Sequence, residues 1–279
     1  MKNRSDGKAP VKKPGSRRAP RAESQDETSL GSAAIRHSGY ISTFILLIST
    51  LLIYDLIVST SENVDFEALK ADLRTSVYNQ SDSVRVITER LDQIQKQDHA
   101  VDVICFIGST GVGKTFTANI LKKHFSPFTY ELRTPLRNEE IFSTIKRNYF
   151  KHNLLIIDDL TLEDVDNLVL FVKSVPQDVR VLVVCIFNIQ ETDSLLNHRI
   201  SYDHVDKIVD KLNLAEISYT AAKFHEFTED QVRGWVLKQL EIKGVDKQFH
   251  SKIVQTVVGN QNVRYNGLKG LNSKILLEL

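Results

Sequence analysis

The sequence predicts an α/β domain: a parallel β-sheet flanked by helices, followed by a small C-terminal helical lid and preceded by one transmembrane helix. Three observations carry that prediction. Apolar strand-like runs at 103–107, 153–160 and 181–187 alternate with helix-like segments, and continuous apolar runs are expected of parallel strands covered on both faces. The first run ends in Gly108-Ser109-Thr110-Gly111-Val112-Gly113-Lys114-Thr115, a glycine-rich loop that opens a helix at Phe116. Upstream, 41–58 is an 18-residue window with one charge, Asp55, near its far end, which reaches the lower limit for crossing a hydrocarbon core.

Bulk composition narrows the field. The chain has 279 residues, enough for one large domain or two modest ones, and a net charge of +1, which argues against a nucleic-acid partner. Cys105 and Cys185 both fall inside apolar runs, so they read as small core residues, with neither disulfide nor zinc spacing.

Residues 1–39 carry nine Lys/Arg against four Asp/Glu and almost no large apolar side chains; they read as a disordered basic tail. Residues 40–60 read as a signal anchor. The run starts too far in, and lasts too long, for a cleaved signal peptide. Basic residues precede it, while Glu62, Asp65 and Glu67 follow it, so the positive-inside rule predicts a type II single-pass protein with its folded domain across the membrane. The sequon Asn79-Gln80-Ser81 lies on that far side; a second, Asn3-Arg4-Ser5, would face the cytosol.

Residues 61–225 read as the α/β core. Apolar spacing from 65 to 97 predicts two helices broken near Asn79-Gln80. In the glycine-rich loop, backbone N–H groups must converge on one concavity to hold phosphate oxygens, and a Cβ on Gly108, Gly111 or Gly113 would obstruct the approach. The helix beginning near Lys114 aims its positive end there. Lys114 would reach the β- and γ-phosphates and the Thr115 hydroxyl would ligate Mg²⁺, so Gly108 through Phe116 are the expected nucleotide-binding residues. A strand at 128–133 and an amphipathic helix at 138–150 follow. The run 153–160 ends in Asp158-Asp159: Asp158 is delivered to the Mg²⁺ shell, and Asp159 stands where a carboxylate polarises the attacking water. Another helix, 163–175, is capped by Thr161 with Asp164. The apolar strand 181–187 ends at Asn188, which reads either as a residue that orients lytic water or as an ordinary turn residue.

Residues 226–279 read as the lid. Thr228 with Gln231 forms a capping box for 229–242, stopped at Gly244; a second helix spans 246–258, stopped at Gly259; a third begins near Gly267. Lys269, near its start, either touches phosphate or is a surface lysine.

Taken together, the phosphate loop, the Asp-ended strand, the Asn-ended strand and the helical lid resemble the AAA+ ATPases. Within them the chain is most similar to the Clp-type branch and to the torsins. Leu69-Lys-Ala-Asp-Leu73 followed by Asn79-Gln80 resembles a torsin N-terminal helix with its "GQ" element, Phe106 to Lys114 is similar to the torsin loop, and Tyr265-Asn-Gly267-Leu268-Lys269 resembles the torsin "GCK" element. The resemblance covers about 65–279. It implies ATP and Mg²⁺ as cofactors and Tyr78-Asn79-Gln80 on the adenine side. It also implies an oligomer, protein clients, and a membrane-bound activator that supplies an arginine, at the endoplasmic reticulum and nuclear envelope. Four departures stand out. Thr115 replaces the Asn of many torsins, and Leu268 replaces the Cys of "GCK". Asp159 replaces the expected Glu. Finally, neither an arginine finger nor an aromatic pore loop is visible. Three functions compete: a lumenal ATPase that remodels protein assemblies, a nucleotide-binding interaction protein without turnover, and a cytosolic or nuclear ATPase in which 41–58 is a core helix.

Overall fold

A computed structural model of the chain describes residues 43–54, 64–96, 100–134, 136, 145, 152–176, 179–192 and 198–279. It divides into two units, 1–61 and 62–279. In the first, the described residues form one helix, α1 (43–54). Among the described residues no helix is long and apolar enough to cross a membrane. The ends of the 41–58 window and the basic tail lie outside the described residues. So does the helix expected over 138–150, apart from Ile145, which is buried.

The second unit is organised by five parallel strands: β1 (Val101–Gly108), β2 (Thr129–Leu132), β3 (Asn153–Leu160), β4 (Val181–Asn188) and β7 (Tyr219–Lys223). Their order is β2-β3-β4-β1-β7. Because strand side chains alternate, each central strand feeds two cores. Ile104, Phe106, Leu154, Ile156, Leu182 and Val184 enter one; Val103, Cys105, Leu155, Ile157, Val183 and Cys185 enter the other. That double burial is why these strands are apolar throughout.

The first core is covered by α2 (Phe66–Ser76), α3 (Ser81–Lys96), α4 (Lys114–Phe125) and the lid; the second by α5 (Val165–Ser174) and α6 (Asp203–Leu214). Asp65 caps α2 through Ala68 N–H at 2.9 Å. The predicted break between α2 and α3 is real, with Asn79 at φ 47° in the turn. Arg90 of α3 donates to the buried Asp102 of β1 at 2.6 Å. Asp72 of α2 receives His124 and Lys123 of α4 at 3.1 and 3.0 Å, and the bond from His124 foremost holds its carboxyl down at about 2. The helix carrying the phosphate loop is thereby tied to α2 as well as to the sheet.

Some boundaries differ from expectation. A 3₁₀ turn, Leu162–Asp164, precedes α5, and Thr161 with Asp164 forms the capping box there. The lid comprises α7 (Glu229–Ile242), α8 (Lys247–Gly259), α9 (Val263–Asn266) and α10 (Leu271–Leu277). α8 includes Gly259 and ends on Asn260. The expected third helix begins at Leu271 rather than near Gly267, because Gly267 and Gly270 both adopt positive φ, and the short α9 before it was not expected. Lys269 therefore sits in a turn between two glycines. The small antiparallel hairpin β5 (Gln190–Thr192) and β6 (His198–Ile200), together with α6 and β7, was not anticipated. β7 is a short YTAAK run with little apolar signal; its place is set by pairing with β1.

Candidate functional site

Functional side chains gather at the carboxyl edge of the sheet, where open α/β sheets place their ligands. Gly108, the last residue of β1, is the register partner of Asn188, the last residue of β4. β4 lies between β1 and β3, so Asn188 stands between the glycine-rich loop and the aspartates that end β3. A cavity of about 590 Å³ opens there. Ten of the thirteen expected site residues line it: Thr110, Gly111, Gly113, Lys114, Thr115 and Phe116 from the loop and α4, Asp158 and Asp159 from β3, Asn188 from β4, and Lys269 from the lid. Gly108, Ser109 and Val112 are buried and do not line it.

The glycines are needed for reasons other than the one expected. A Cβ on Gly108 would lie 2.6 Å from the Phe224 carbonyl oxygen, and one on Gly111 would lie 1.9 Å from that of Asn266. These two make room for the chain behind the loop. Only Gly113, with φ 101° and nothing within 4 Å, keeps the open side of the loop clear.

Lys114 is buried and folds back, its Nζ donating to the carbonyls of Gly108 at 2.6 Å and Ser109 at 2.5 Å. Burial pulls its pKa down to about 8, against the opposing pull of Asp158, Asp159 and Glu226. Glu226, in the β7–α7 connection, was not anticipated; it is far away in sequence and fits no motif. The sign of the pH dependence follows. An anion is held by the protonated amine, which the free protein loses above about pH 8. Phosphate affinity should therefore be full below that pH and fall by up to tenfold per pH unit above it, with protons taken up on binding. Titration calorimetry of ATP at pH 7 and 9, in buffers of different ionisation enthalpy, checks both.

The residues fit a nucleotide and a divalent cation. Gly113, the N-cap of α4, supplies no side-chain cap, and no acidic residue stands in the first turn, so the helix's positive end faces the cavity unmet. The Ser109 hydroxyl is fully buried without a hydrogen-bond partner. The Thr115 hydroxyl donates to Asp158 Oδ2 at 3.2 Å, which brings two hard oxygen ligands together beside the loop. No group of three or more acidic, His or Cys side chains that could hold a metal occurs among the described residues. Mg²⁺ takes one or two protein oxygens and completes its shell with phosphate and water, and the Thr115–Asp158 pair supplies that number.

Asp159 does not continue the strand. Ile157 pairs with Cys185 and Leu160 with Phe187, so one extra residue is inserted in β3. Asp159 takes φ 63° in this bulge, and its N–H donates to Asp158 Oδ1 at 2.8 Å. The bulge leaves Asp159 exposed at the mouth of the cavity, and its N–H helps to fix the Asp158 carboxylate. Asn188 makes the turn contact of one of its expected readings and also lines the cavity. Its Oδ1 accepts Gln190 N–H at 3.2 Å, a side-chain turn, and the same side chain lines the cavity. With Oδ1 engaged, its NH₂ is the group left to donate.

Beside the loop lies a second, less polar cavity of about 290 Å³, lined by Val77, Tyr78, Phe116, Phe227, Trp235 and Leu268 among others. Phe116 faces both cavities, so an elongated ligand can occupy the pair. Tyr78 lines this cavity, its hydroxyl donating to the Gln231 carbonyl at 3.0 Å. Asn79 does not line this cavity, and Gln80 turns instead into the protein. Phe227 and Trp235 were missed; aromatic residues in a lid carry no distinguishing pattern.

No family model matches the chain, and no curated protein matches it. Among solved structures it is similar to a closed-state cryo-EM reconstruction of Hsp104:ATPγS and FITC casein. Identity is 14%, over 79% of this chain and 46% of that one, with a TM-score of 0.48. The chain thus spans less than half of that protein's length.

Proposed function

We propose that the chain is an AAA+-type P-loop ATPase that binds Mg-ATP. The observation that carries this reading is the meeting, in one cavity, of an uncapped helix N-terminus, a buried lysine of lowered pKa, and a Thr–Asp pair of hard oxygen ligands. Lys114 and the loop amides hold the phosphates, Thr115 and Asp158 hold the cation, and Lys269 meets the terminal phosphate from the lid. When bound, the cation supplies neutralisation of the charge on the β- and γ-phosphate oxygens. The Asn188 amide orients the attacking water, and Asp159 takes its proton. The apolar cavity takes the base.

The finer reading is a torsin-like protein, type II in the endoplasmic reticulum and nuclear-envelope membrane. It would be glycosylated at Asn79, oligomeric, act on protein clients, and depend on a membrane-bound partner for an arginine. Support for the anchor is the composition of 41–58. Support for the partner is the resemblance alone.

A second reading, a nucleotide-binding interaction protein without turnover, is favoured by Asp159: it is one methylene shorter than Glu and is held on a bulge. ATP turnover by the full chain tests the first reading. Turnover that Lys114→Ala removes establishes it; ATP binding without turnover, with or without the partner, establishes the second.

A further inference from the structure

Two successive carbonyls of the phosphate loop are held from behind. Leu268 N–H, in the lid, donates to the Gly111 carbonyl at 3.0 Å. The side-chain amide of Gln80, which is buried, donates to the Val112 carbonyl at 3.2 Å and to the His225 carbonyl at 2.7 Å. Its oxygen accepts His225 N–H at 3.0 Å. In a trans peptide the C=O and the following N–H point in opposite directions. Fixing the Gly111 and Val112 carbonyls behind the loop therefore aims the Val112 and Gly113 amides forward. Those are two of the amides a phosphate-binding nest is made of. Close backbone packing sets the lid bond: a Cβ on Gly267 would lie 2.6 Å from the Gly111 carbonyl oxygen.

We infer that Gln80 and the Gly267–Leu268 turn are positioning residues for the phosphate cradle, acting on its amides through the Gly111 and Val112 carbonyls. The inference rests on the proposed phosphate site. It has a consequence for the whole unit. The loop takes its binding shape only while the lid turn and the α2–α3 turn are both seated, so a displacement of the lid is felt as a loss of phosphate affinity.

The test uses the full chain and magnesium pyrophosphate, a probe with no base to fill the apolar cavity. Gln80→Met keeps the volume and removes the donor, while Gly267→Ala disturbs the same loop from the lid side. Ser83→Ala is the control: the Ser83 hydroxyl joins α3 to the Lys223 carbonyl at 2.5 Å, beside Gln80 but without touching the loop. Gln80→Met and Gly267→Ala should each weaken pyrophosphate binding about tenfold or more. Ser83→Ala should lower the thermal midpoint and leave that affinity unchanged. If Gln80→Met does not fold, Gly267→Ala beside Ser83→Ala decides. Wild-type affinity in the two positioning variants overturns the inference, and so does an equal loss in Ser83→Ala, which would make the contacts merely structural. If wild type and Lys114→Ala bind pyrophosphate alike, the phosphate site itself is misassigned and the inference falls with it.

Discussion

Gly111→Ala is expected to unseat the lid from the phosphate loop and abolish nucleotide binding. Two costs add. At φ 78° an alanine carries left-handed strain of about 1–2 kcal/mol. Its Cβ would also stand 1.9 Å from the Asn266 carbonyl oxygen and 2.6 Å from the carbonyl carbon, so backbone must move. The turn that moves carries Leu268, and the bond from Leu268 N–H to the Gly111 carbonyl goes with it. A total loss of at least about 2 kcal/mol corresponds to a fall in Tm of roughly 4–8 °C for a domain of this size. Gly113→Ala is the comparison. It bears the strain of φ 101° but meets nothing within 4 Å, so its Tm should fall by less. Thermal unfolding of both variants, with ATP binding, measures the difference.

Asp159→Glu is expected to raise ATP turnover by about a hundredfold, the scale on which a 1 Å error of placement acts. Asp159 lines the cavity but sits on the bulge, exposed at the cavity's mouth. Glu at 159 has one methylene more with which to reach into the cavity that Asn188 also lines. A small fall in Tm should accompany the gain, because Asp tolerates a positive φ better than Glu does. If Asp159→Glu leaves turnover unchanged while ATP still binds, the shorter carboxylate is not what limits the rate. The next element to test is then an arginine supplied by a partner.

The central strands, the phosphate loop and the Asp-ended strand were legible because their signals are local. A strand buried on both faces has to be apolar, and the loop's spacing is written in eight consecutive residues. What escaped the sequence depends on distant partners. The purposes of Gly108 and Gly111 are set by Phe224 and Asn266, more than a hundred residues away. The bulge at Asp159 is invisible in NLLIIDDL, since it appears only when β3 is laid against β4. Asn188 could not be assigned to turn or site from its position, and in the structure it bonds within the turn and lines the cavity. Lys269 was placed at a helix start, whereas the two flanking glycines make a turn that brings it to the cavity. Phe227, Trp235 and Glu226 gave no signal at all, because a lid wall is recognised only by what it faces.

The most direct test of the central claim is equilibrium binding of Mg-ATP to the full chain and to Lys114→Ala at pH 7. The site as described predicts saturable binding at one site per chain, weakened at least about a hundredfold by the substitution. An absence of binding in wild type, or binding that Lys114→Ala leaves untouched, would contradict it.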